Sequence, residues 1–535
     1  MPSIASAEDA SAALPTGVEC SVRADASWTK QEVFVWEKVC HGETADFMVA
    51  PQFETKDWDF EKKGLPDSYS LRPIFLEKIL LDKIYASATP REGVRIRSAR
   101  LTGTFDLTNA NLEREFSCVK CQFDGGIDFT RLISSKVVDL RYATILGDLI
   151  LSEADLQKSL NLSESTITGE LMMKYANIQR SVFAENVRSG VVELRGAHVG
   201  KNIDMNGMTF KDIEMDTLRV DGSLLLVGVT IPDLGLLTGR VNLRNARIDG
   251  QLTLRNATIP SQFICYGTTI GKDVFLTDGK FRNVNCESVR IGQSLILEGA
   301  TFDEEVDFTR AQIDGGISFS YENSSVKWGK SAKLMLANAR ADTIPSLSDS
   351  WPPKLEVTGL TYRNLLDGNS NGHRLEPIPK LAESWFQKQA TYSPQTYEQL
   401  ALAFQNQGQK EAATDIRYSS VERERVESDG PNYFWLTMLK YSVGYGYYPE
   451  RAIAFVLVFI IFGTIVLRVS GAGKKQGLPY GIFYSFDMLI PLIKLREAHY
   501  KIDLDGWPRY YFYFHKIAGF VLASFLVAGI SGLTK

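Results

Sequence analysis

Cysteine is scarce in this sequence, with six residues in a chain of 535. Scaffolds that depend on disulfides are short and far richer in cysteine, so the count does not suggest a disulfide framework. Cys118 and Cys121 have the spacing of a redox or zinc pair, but no second such pair completes a zinc site. We expect both to be buried as small apolar residues. Cys40 and His41 are adjacent but lack further ligands, so the sequence predicts no metal site.

Motifs for cofactors are also missing. The chain has no Gly-x-Gly-x-x-Gly after a strand, no haem-attachment Cys-x-x-Cys-His and no iron–sulfur spacing. "GAGKKQG" at 471–477 has the wrong spacing, and "WGKS" at 328–331 has Ser324 where a phosphate-binding loop needs its first glycine. The sequence therefore predicts no cofactor and no catalytic residue.

Strong net charge is absent as well, since the chain carries −5 overall. This balance does not favour nucleic acid as a partner. The stretch "MPSIASAEDASAALPTG" has neither a basic region nor an apolar core, so it does not read as a signal peptide. We expect residues 1–27 to be disordered and the large N-terminal domain to be cytoplasmic.

Residues 94–320 contain an internal repeat in which a large apolar residue recurs about every 11 positions. The segments between are rich in Val, Ile and Thr, alternate with period two and are interrupted by Gly and Asn, which favours strands over a helical supercoil. We therefore expect a mainly β fold, a β-solenoid over residues 91–365, with Asn, Asp and Gly at the corners. Two steps of the repeat would make one coil, giving about ten coils between Leu107 and Phe319. The predicted inward residues include Phe129, Leu140, Leu151, Leu162, Met173, Leu194, Met205, Leu254, Leu276, Leu297 and Phe308.

Three strings in this region, "ANL" at 110–112, "ADL" at 154–156 and "ANI" at 176–178, match the A(D/N)LxX pattern. In this the chain resembles the pentapeptide-repeat proteins, which implies a right-handed solenoid. The region from 94 to 320 has 29 acidic and 25 basic residues, a net of −4 that is too balanced for a mimic of DNA.

Helical segments are predicted on both sides of the solenoid. The apolar spacing in residues 28–90 indicates a helical N-terminal cap that covers the open strand edges. Residues 380–430 read as a helical hairpin similar to a tetratricopeptide pair, with Pro394 opening one helix and Gly408 at the turn.

Residues 431–535 are predicted to be a membrane region. Two apolar segments, about 450–470 and 511–533, are candidate spans, with the lipid bilayer as partner. Small residues at Gly519, Ala523 and Gly529 allow close helix packing in the second segment. The loop between them is basic, which alone would place it inside the cell. The missing signal peptide argues for the opposite orientation, and we expect a multi-pass inner-membrane protein.

The segment 478–496 is short for a span and is predicted to be an interfacial or re-entrant helix. Its place between two spans resembles the pore helix and filter of two-span tetrameric cation channels. It has "LIPLIKL" where a potassium filter would be, so potassium selectivity is not implied. The Gly-Tyr-Gly at 444–446 precedes the first span, and its tyrosines are typical of an aromatic belt at the membrane interface. Asp487 is either a pore-lining group or an interfacial carboxylate wetted by headgroup water. The candidate residues of this segment are Tyr484, Asp487, Pro491 and Lys494.

The order of the segments, with "SPQTYEQLA" at 393–401 and "VGYGYYPERA" at 443–452, resembles a group of bacterial membrane proteins often labelled membrane-associated oxidoreductases. The leading hypothesis is a non-enzymatic membrane protein. Its solenoid would sense or bind a protein or small ligand, and its spans would form a pore-like homo-oligomer, with a tetramer as the expected state. The alternatives are a membrane-anchored scaffold without conductance and an oxidoreductase with an unrecognised cofactor site.

Overall fold

The computed structural model describes residues 20–53, 64–232, 239–321, 324–345, 350–366, 379–448, 450–478, 481–490 and 494–530. The chain forms two compact units, Met1–Glu376 and Pro377–Lys535, and each is described by itself. The first holds the β-solenoid and its N-terminal helices. The second is helical.

The N-terminal part of the first unit contains helices α1 (Lys30–Cys40), α2 (Pro73–Leu81) and α3 (Lys83–Ala88). Helix α1 begins at Thr29, whose hydroxyl accepts from the backbone N–H of Glu32, and the Glu32 carboxylate accepts from the N–H of Thr29. Short 3-10 turns lie at Pro51–Phe53 and Asp67–Tyr69.

The solenoid is built from short parallel strands, and one coil has four sides. From β11 (Val138–Asp139) the chain passes through three further strands before β15 (Leu160–Asn161) stacks on β11, with Val138 opposite Leu160. A coil is therefore 22 residues, two steps of the 11-residue repeat. Along one side, 12 strands from β5 to β43 stack in sequence.

The strand bounds follow the repeat. Strands β1 to β22 are Ala45–Asp46, Ser70–Leu71, Val94–Arg97, Arg100–Leu101, Phe105–Asp106, Asn111–Leu112, Phe116–Val119, Gln122–Phe123, Ile127–Asp128, Ile133–Ser134, Val138–Asp139, Thr144–Ile145, Leu149–Ile150, Asp155–Leu156, Leu160–Asn161, Thr166–Ile167, Leu171–Met172, Asn177–Ile178, Val182–Phe183, Val191–Glu193, His198–Val199 and Ile203–Asp204. Strands β23 to β44 are Asp212–Glu214, Arg219–Val220, Leu224–Leu225, Arg240–Asn242, Arg247–Ile248, Leu252–Thr253, Thr258–Ile264, Thr269–Ile270, Val274–Phe275, Lys280–Asn285, Arg290–Ile291, Leu295–Ile296, Thr301–Phe302, Glu305–Asp307, Gln312–Ser318, Ser320–Tyr321, Ser324–Ser325, Lys327–Trp328, Lys333–Met335, Arg340–Pro345, Lys354–Glu356 and Asn364–Leu366.

The core of the solenoid consists of the predicted inward residues. Leu151 is 0% exposed and Leu297 is 1% exposed. The second apolar position of each repeat, such as Ile145 or Ile248, is buried in the same way. The 11-residue register predicted from the sequence is confirmed, because every residue of the predicted ladder named above is buried.

The corners agree with the prediction in residue type at many positions but not at all of them. A left-handed backbone recurs every 11 residues, for example at Tyr142, Glu153, Glu164 and Tyr175, with φ between 54° and 63°. These four are not the expected residue types, but many other left-handed corners are Asn, Asp or Gly as expected, for example Asn109, Asn186, Gly207 and Asp278. The N–H of Tyr142 donates to the carbonyl of Ser163 in the next coil at 3.0 Å, and hydrogen bonds of this kind hold the strained corners in place.

The cap also contributes strands to the solenoid. Strand β1 pairs with β3, with Ala45 opposite Ile96, and β2 pairs with β4, with Leu71 opposite Leu101. The helices α1 to α3 therefore alternate with two strands that extend the stack at its first coil.

The second unit contains helices α4 (Pro379–Ser384), α5 (Pro394–Asn406), α6 (Lys410–Glu427), α7 (Gly430–Val443), α8 (Glu450–Val469), α9 (Ala472–Lys475), α10 (Ile482–Leu489) and α11 (Trp507–Ile530), with 3-10 turns at Trp385–Lys388, Gly444–Gly446 and Glu497–Lys501. Helices α5 and α6 form a hairpin, begun at Pro394 and turned at Gly408, where φ is 82°.

Among the described residues, only α8 has both the length, 20 residues, and the apolar composition needed to cross a membrane. A core helix of a soluble protein can meet the same two conditions. Helix α11 is 24 residues long and contains most of the second predicted span, while residues 531–535 lie outside the described part.

The six cysteines form three pairs, contrary to the expectation from their low number. Disulfides join Cys20 to Cys40, Cys118 to Cys121, and Cys265 to Cys286. The expected burial of Cys118 and Cys121 is confirmed, at 0% and 1% exposed. The solenoid explains the third pair, because residues 21 positions apart stack in adjacent coils.

Candidate functional site: a short helix between two long helices

Helix α10 packs against both α8 and α11. Two glycines permit this approach: a Cβ on Gly463 of α8 would overlap the hydroxyl of Ser485, and a Cβ on Gly519 of α11 would overlap the carbonyl oxygen of Leu489. The hydroxyl of Ser485 donates to the carbonyl of Ile460 on α8 at 3.0 Å. The short helix is therefore seated backbone against backbone between the two long ones.

A buried histidine completes the contact between α10 and α11. His515 is 0% exposed, and its Nε2 lies 3.0 Å from the carbonyl oxygen of Ser485. A carbonyl only accepts, so Nε2 carries the proton and Nδ1 is free to accept from the hydroxyl of Tyr511, 3.1 Å away. Both ring nitrogens of this buried side chain thus have partners.

Asp487 of α10 is hydrogen-bonded to the segment that follows the helix. Its Oδ1 accepts from the N–H of Leu495 at 2.7 Å, and its Oδ2 accepts from the N–H of Arg496 at 3.2 Å. Oδ2 also lies 2.7 Å from Nδ1 of His499, and the hydroxyl of Tyr500 donates to the Asp487 carbonyl at 2.7 Å. The carboxylate holds a return segment, residues 494–500, against α10.

This environment differs from the one that either interpretation of Asp487 expected from the sequence. Each placed the carboxylate in water, either along a pore or among headgroups, whereas Asp487 is 1% exposed. The reason is the return segment, which brings two backbone donors and His499 to the carboxylate. Such contacts between distant residues leave no local pattern in the sequence.

The other predicted residues of this segment lie around the same network. Tyr484 is buried, with its ring 5.7 Å from that of His499 and 5.2 Å from that of Phe512. Lys494 is exposed, and its Nζ lies 5.6 Å from the ring centre of Tyr500. Pro491 lies outside the described residues.

The small residues predicted for helix packing lie along α11. Gly519 contacts Leu489 of α10 in the same chain, as described above, and Ala523 is buried. Gly529 lies in the last turn of α11.

The stretch "GYGYYPER" begins where α7 ends and leads into α8. Gly444 ends α7 in a left-handed conformation, and the next residue, Tyr445, also has a positive φ of 57°. The Tyr445 hydroxyl donates to Glu422 of α6 at 2.7 Å, and the Tyr448 hydroxyl donates to Asp415 of α6. These tyrosines, predicted to form an interfacial belt, are bonded to carboxylates of the hairpin.

Glu422 is the centre of this connection, and the sequence reasoning missed it. It accepts from Arg425 at 2.6 Å and from Lys440 of α7 at 2.7 Å, in addition to Tyr445. The hydrogen bond from Arg425 is the largest of the effects that lower the pKa of Glu422 to about 2. The charge-rich string "VERERVE" at 421–427 was the only feature that could have drawn attention to Glu422. Charged runs in helices are usually solvated, so it did not indicate a buried network.

An open cavity of about 460 Å³ lies beside the hairpin, lined by Glu383, Tyr397, Tyr418, Glu422 and Arg423 among others. Burial raises the pKa of Glu383 to about 7. The cavity therefore holds a carboxyl group that changes charge near neutral pH.

The fold defines a β-solenoid protein with a C-terminal helical unit. Comparison of the chain with models of protein families, with curated proteins and with solved structures found no match.

Proposed function

We propose that this chain is a non-enzymatic membrane protein in which the solenoid binds a protein or small ligand and helices α8, α10 and α11 form a pore-like unit in a homo-oligomer. The observation that carries the proposal is the seating of α10. A short helix held between two long helices, followed by a return segment, is the arrangement expected of a re-entrant pore helix.

Membrane placement is supported by the outward faces of the two long helices. On α8 these faces are apolar between the charged ends of the helix, and on α11 they are largely aromatic or apolar, with Lys516 as an exposed charge among them. Patches of this extent are rare on the surfaces of soluble monomers. The exposed large apolar residues are Ile453, Leu457, Val458, Ile461, Phe462, Ile465 and Val469 on α8, and Trp507, Tyr510, Tyr513, Phe514, Ile517, Phe520, Val521 and Val527 on α11.

The preceding helix α7 supports the same placement. Phe434 is 72% exposed and Tyr441 is 65% exposed, and Trp435 and Met438 are exposed beside them. Aromatic side chains on a helix just before a span are typical of the membrane interface. We place the protein in the inner membrane as a multi-pass protein with a cytoplasmic N-terminal domain, the orientation expected from the sequence.

A homo-oligomer is supported by the uncovered side of α10. Ile482 and Phe483 are 46% and 61% exposed, although the opposite side of the helix is buried against α8 and α11. In the membrane a second copy would cover this face, and four copies around an axis would line a pore.

The connection between α6 and α8 would carry a signal from the hairpin to the pore. Glu422 bonds to α7 through Lys440 and to the start of the membrane region through Tyr445. A shift of α6 would therefore move the entrance of α8.

A scaffold that is only anchored in the membrane is favoured by one specific observation. The Asp487 carboxylate is buried and hydrogen-bonded within its own chain, so it does not line a water-filled pore in this structure. On this alternative, α10 and its return segment would be a structural plug between the spans, and the solenoid alone would be functional.

Ion flux from liposomes containing the purified full chain distinguishes the two functions. Gly519→Ala should abolish flux, because the added methyl group overlaps the Leu489 carbonyl and displaces α10. Gly473→Ala is the matched control, since its Cβ would meet neighbours at 3.4 Å and both changes raise helix propensity alike.

A pore predicts flux in the wild type and in Gly473→Ala but not in Gly519→Ala. A wild type without flux that is monomeric by native mass supports the scaffold. Equal flux in all three proteins would mean that the seating of α10 does not form the pore.

A further inference from the structure

The C-terminal end of α1 brings together three side chains that bind soft metals. Cys40 and His41 end the helix, and Cys20 comes from 20 residues earlier in the chain. Nδ1 of His41 lies 3.4 Å from Sγ of Cys40 and 3.9 Å from Sγ of Cys20. The two cysteines are partly buried and His41 is exposed, so the cluster is accessible from solvent.

The segment that carries Cys20 is fixed against the cap. The indole Nε1 of Trp36 donates to the carbonyl of Val22 at 2.9 Å, and Nζ of Lys78 lies 2.5 Å from the carboxylate of Asp25. The meeting of Cys20 with Cys40 and His41 is therefore set by contacts outside the three side chains themselves.

The spacing of the donor atoms fits a tetrahedral metal ion. With bonds of about 2.3 Å to sulfur and about 2.0–2.1 Å to nitrogen, sulfur and nitrogen ligands of zinc lie about 3.6 Å apart. The two measured distances, 3.4 and 3.9 Å, lie on either side of that value. We propose that the reduced form of Cys20 and Cys40, together with His41, binds one Zn²⁺ ion.

The end of α1 adds an independent attraction for a cation. The carbonyl oxygen of Glu37 lies 2.5 Å from Nδ1 of His41 and 3.3 Å from Sγ of Cys40, so it faces the cluster. Carbonyls in the last turn form the negative end of the helix dipole, which favours positive charge. In this structure Nδ1 of His41 donates to the Glu37 carbonyl, because a carbonyl only accepts. Zinc binding would move the imidazole proton to Nε2 and break that hydrogen bond, so that Nδ1 binds the metal and water takes the fourth position.

Metal binding depends on the redox state of the pair. In the structure Cys20 and Cys40 are joined as a disulfide, which has no thiolate to offer. Reduction by a thiol reductant breaks the S–S bond: two electrons and two protons pass to the protein, and the reductant becomes a disulfide. Zn²⁺ then binds both sulfurs and releases the two thiol protons to solvent. The site is therefore a zinc site only in reducing conditions.

Titration of the reduced full chain with Co²⁺, followed by displacement with Zn²⁺, tests the proposal. The variants are Cys20→Ser and His41→Gln, and the matched control is His198→Gln, a partly exposed histidine on the solenoid bonded to Asp221 at 3.0 Å. Circular dichroism of each variant reports whether the fold is retained, and His41→Gln keeps both thiols.

We expect one equivalent of Co²⁺ with the visible bands of a tetrahedral thiolate site in the reduced wild type and in His198→Gln, and none in the oxidised protein. Cys20→Ser should lose the bands, and His41→Gln should weaken binding by more than about tenfold, because loss of a residue that only orients a ligand already costs about 10–100-fold. No tetrahedral Co²⁺ in the reduced wild type would overturn the proposal, as would bands that Cys20→Ser and His41→Gln both leave unchanged.

Discussion

Oδ2 of Asp487 lies 2.7 Å from Nδ1 of His499, twelve residues further along the chain, and both side chains are buried. Burial of a carboxylate is costly unless it is hydrogen-bonded, and here two backbone N–H groups and the imidazole satisfy it. The pair fixes the distance between α10 and the return segment, and so determines the shape of the segment that the pore proposal depends on.

Asp487→Asn should destabilise the helical unit by about 1–3 kcal/mol, because the amide accepts more weakly and places an NH₂ group against backbone donors. Thermal unfolding of the full chain in detergent measures this. Asp505→Asn is the control, since the Asp505 side chain is 97% exposed. If the two variants unfold at the same temperature, the carboxylate does not hold the return segment.

Leu151→Asp should unfold the solenoid or cost at least about 3 kcal/mol, because it places an unpaired charge in a dry core. The same substitution at Leu146, which is 46% exposed, should change stability by less than about 0.5 kcal/mol. Denaturant unfolding of the two variants gives the comparison. Similar losses at both positions would show that the inward register is wrong.

Glu383 should make the stability of the hairpin depend on pH between about 4.5 and 7. Its pKa is raised from 4.5 to about 7 by burial, so the folded state holds a proton that the unfolded state releases. Its contribution to stability is complete below pH 4.5 and is lost as the pH rises to about 7. The pKa of Glu422 is instead lowered from 4.5 to about 2. Its contribution to stability is present above pH 4.5 and is lost as the pH falls from 4.5 to about 2.

Glu383→Gln should therefore flatten the pH dependence of the melting temperature between pH 5 and 8 and raise that temperature at pH 8. Glu411→Gln, an exposed position in the first turn of α6, provides the control. A slope that persists unchanged in Glu383→Gln would assign the pH dependence to another group.

Tyr445→Phe should loosen the connection between the hairpin and α8, because it removes the hydrogen bond to Glu422 at a cost of about 1.5–3 kcal/mol locally. Hydrogen exchange of the amides at 443–448 should become faster. Tyr441→Phe is the control, as Tyr441 is 65% exposed on α7. Unchanged exchange in Tyr445→Phe would show that the hydroxyl does not fix this stretch.

The solenoid could be predicted from the sequence because its information is local and repeated. Each coil buries the same positions. An atypical residue at one of them, such as Cys265 in place of leucine, can therefore still be assigned to the core from the repeats on either side. The corners could be predicted by residue type only in part, because Asn, Asp or Gly occupies many of them but not all. At Tyr142 and Glu153 the left-handed backbone is held by hydrogen bonds to the next coil, as it is at Asn109.

The candidate site was predicted only in part. The apolar pattern of α8 and the place of α10 are visible in the sequence, but the partners of Asp487 and Glu422 are not. Apart from Arg425, which is three residues from Glu422 on the same helix, those partners lie 8 to 23 residues away, across turns whose path no periodicity specifies. The meeting of Cys20 with His41 has the same cause, since Cys20 lies 21 residues before the histidine.

The central claim, a pore-like oligomer built around α10, is tested most directly by single-particle images of the full chain in lipid nanodiscs. The account predicts a closed ring of four copies, with α8 and α11 inside the lipid belt and the α10 segments facing a common axis. A single copy per nanodisc, with α10 facing lipid on its exposed side, would contradict it.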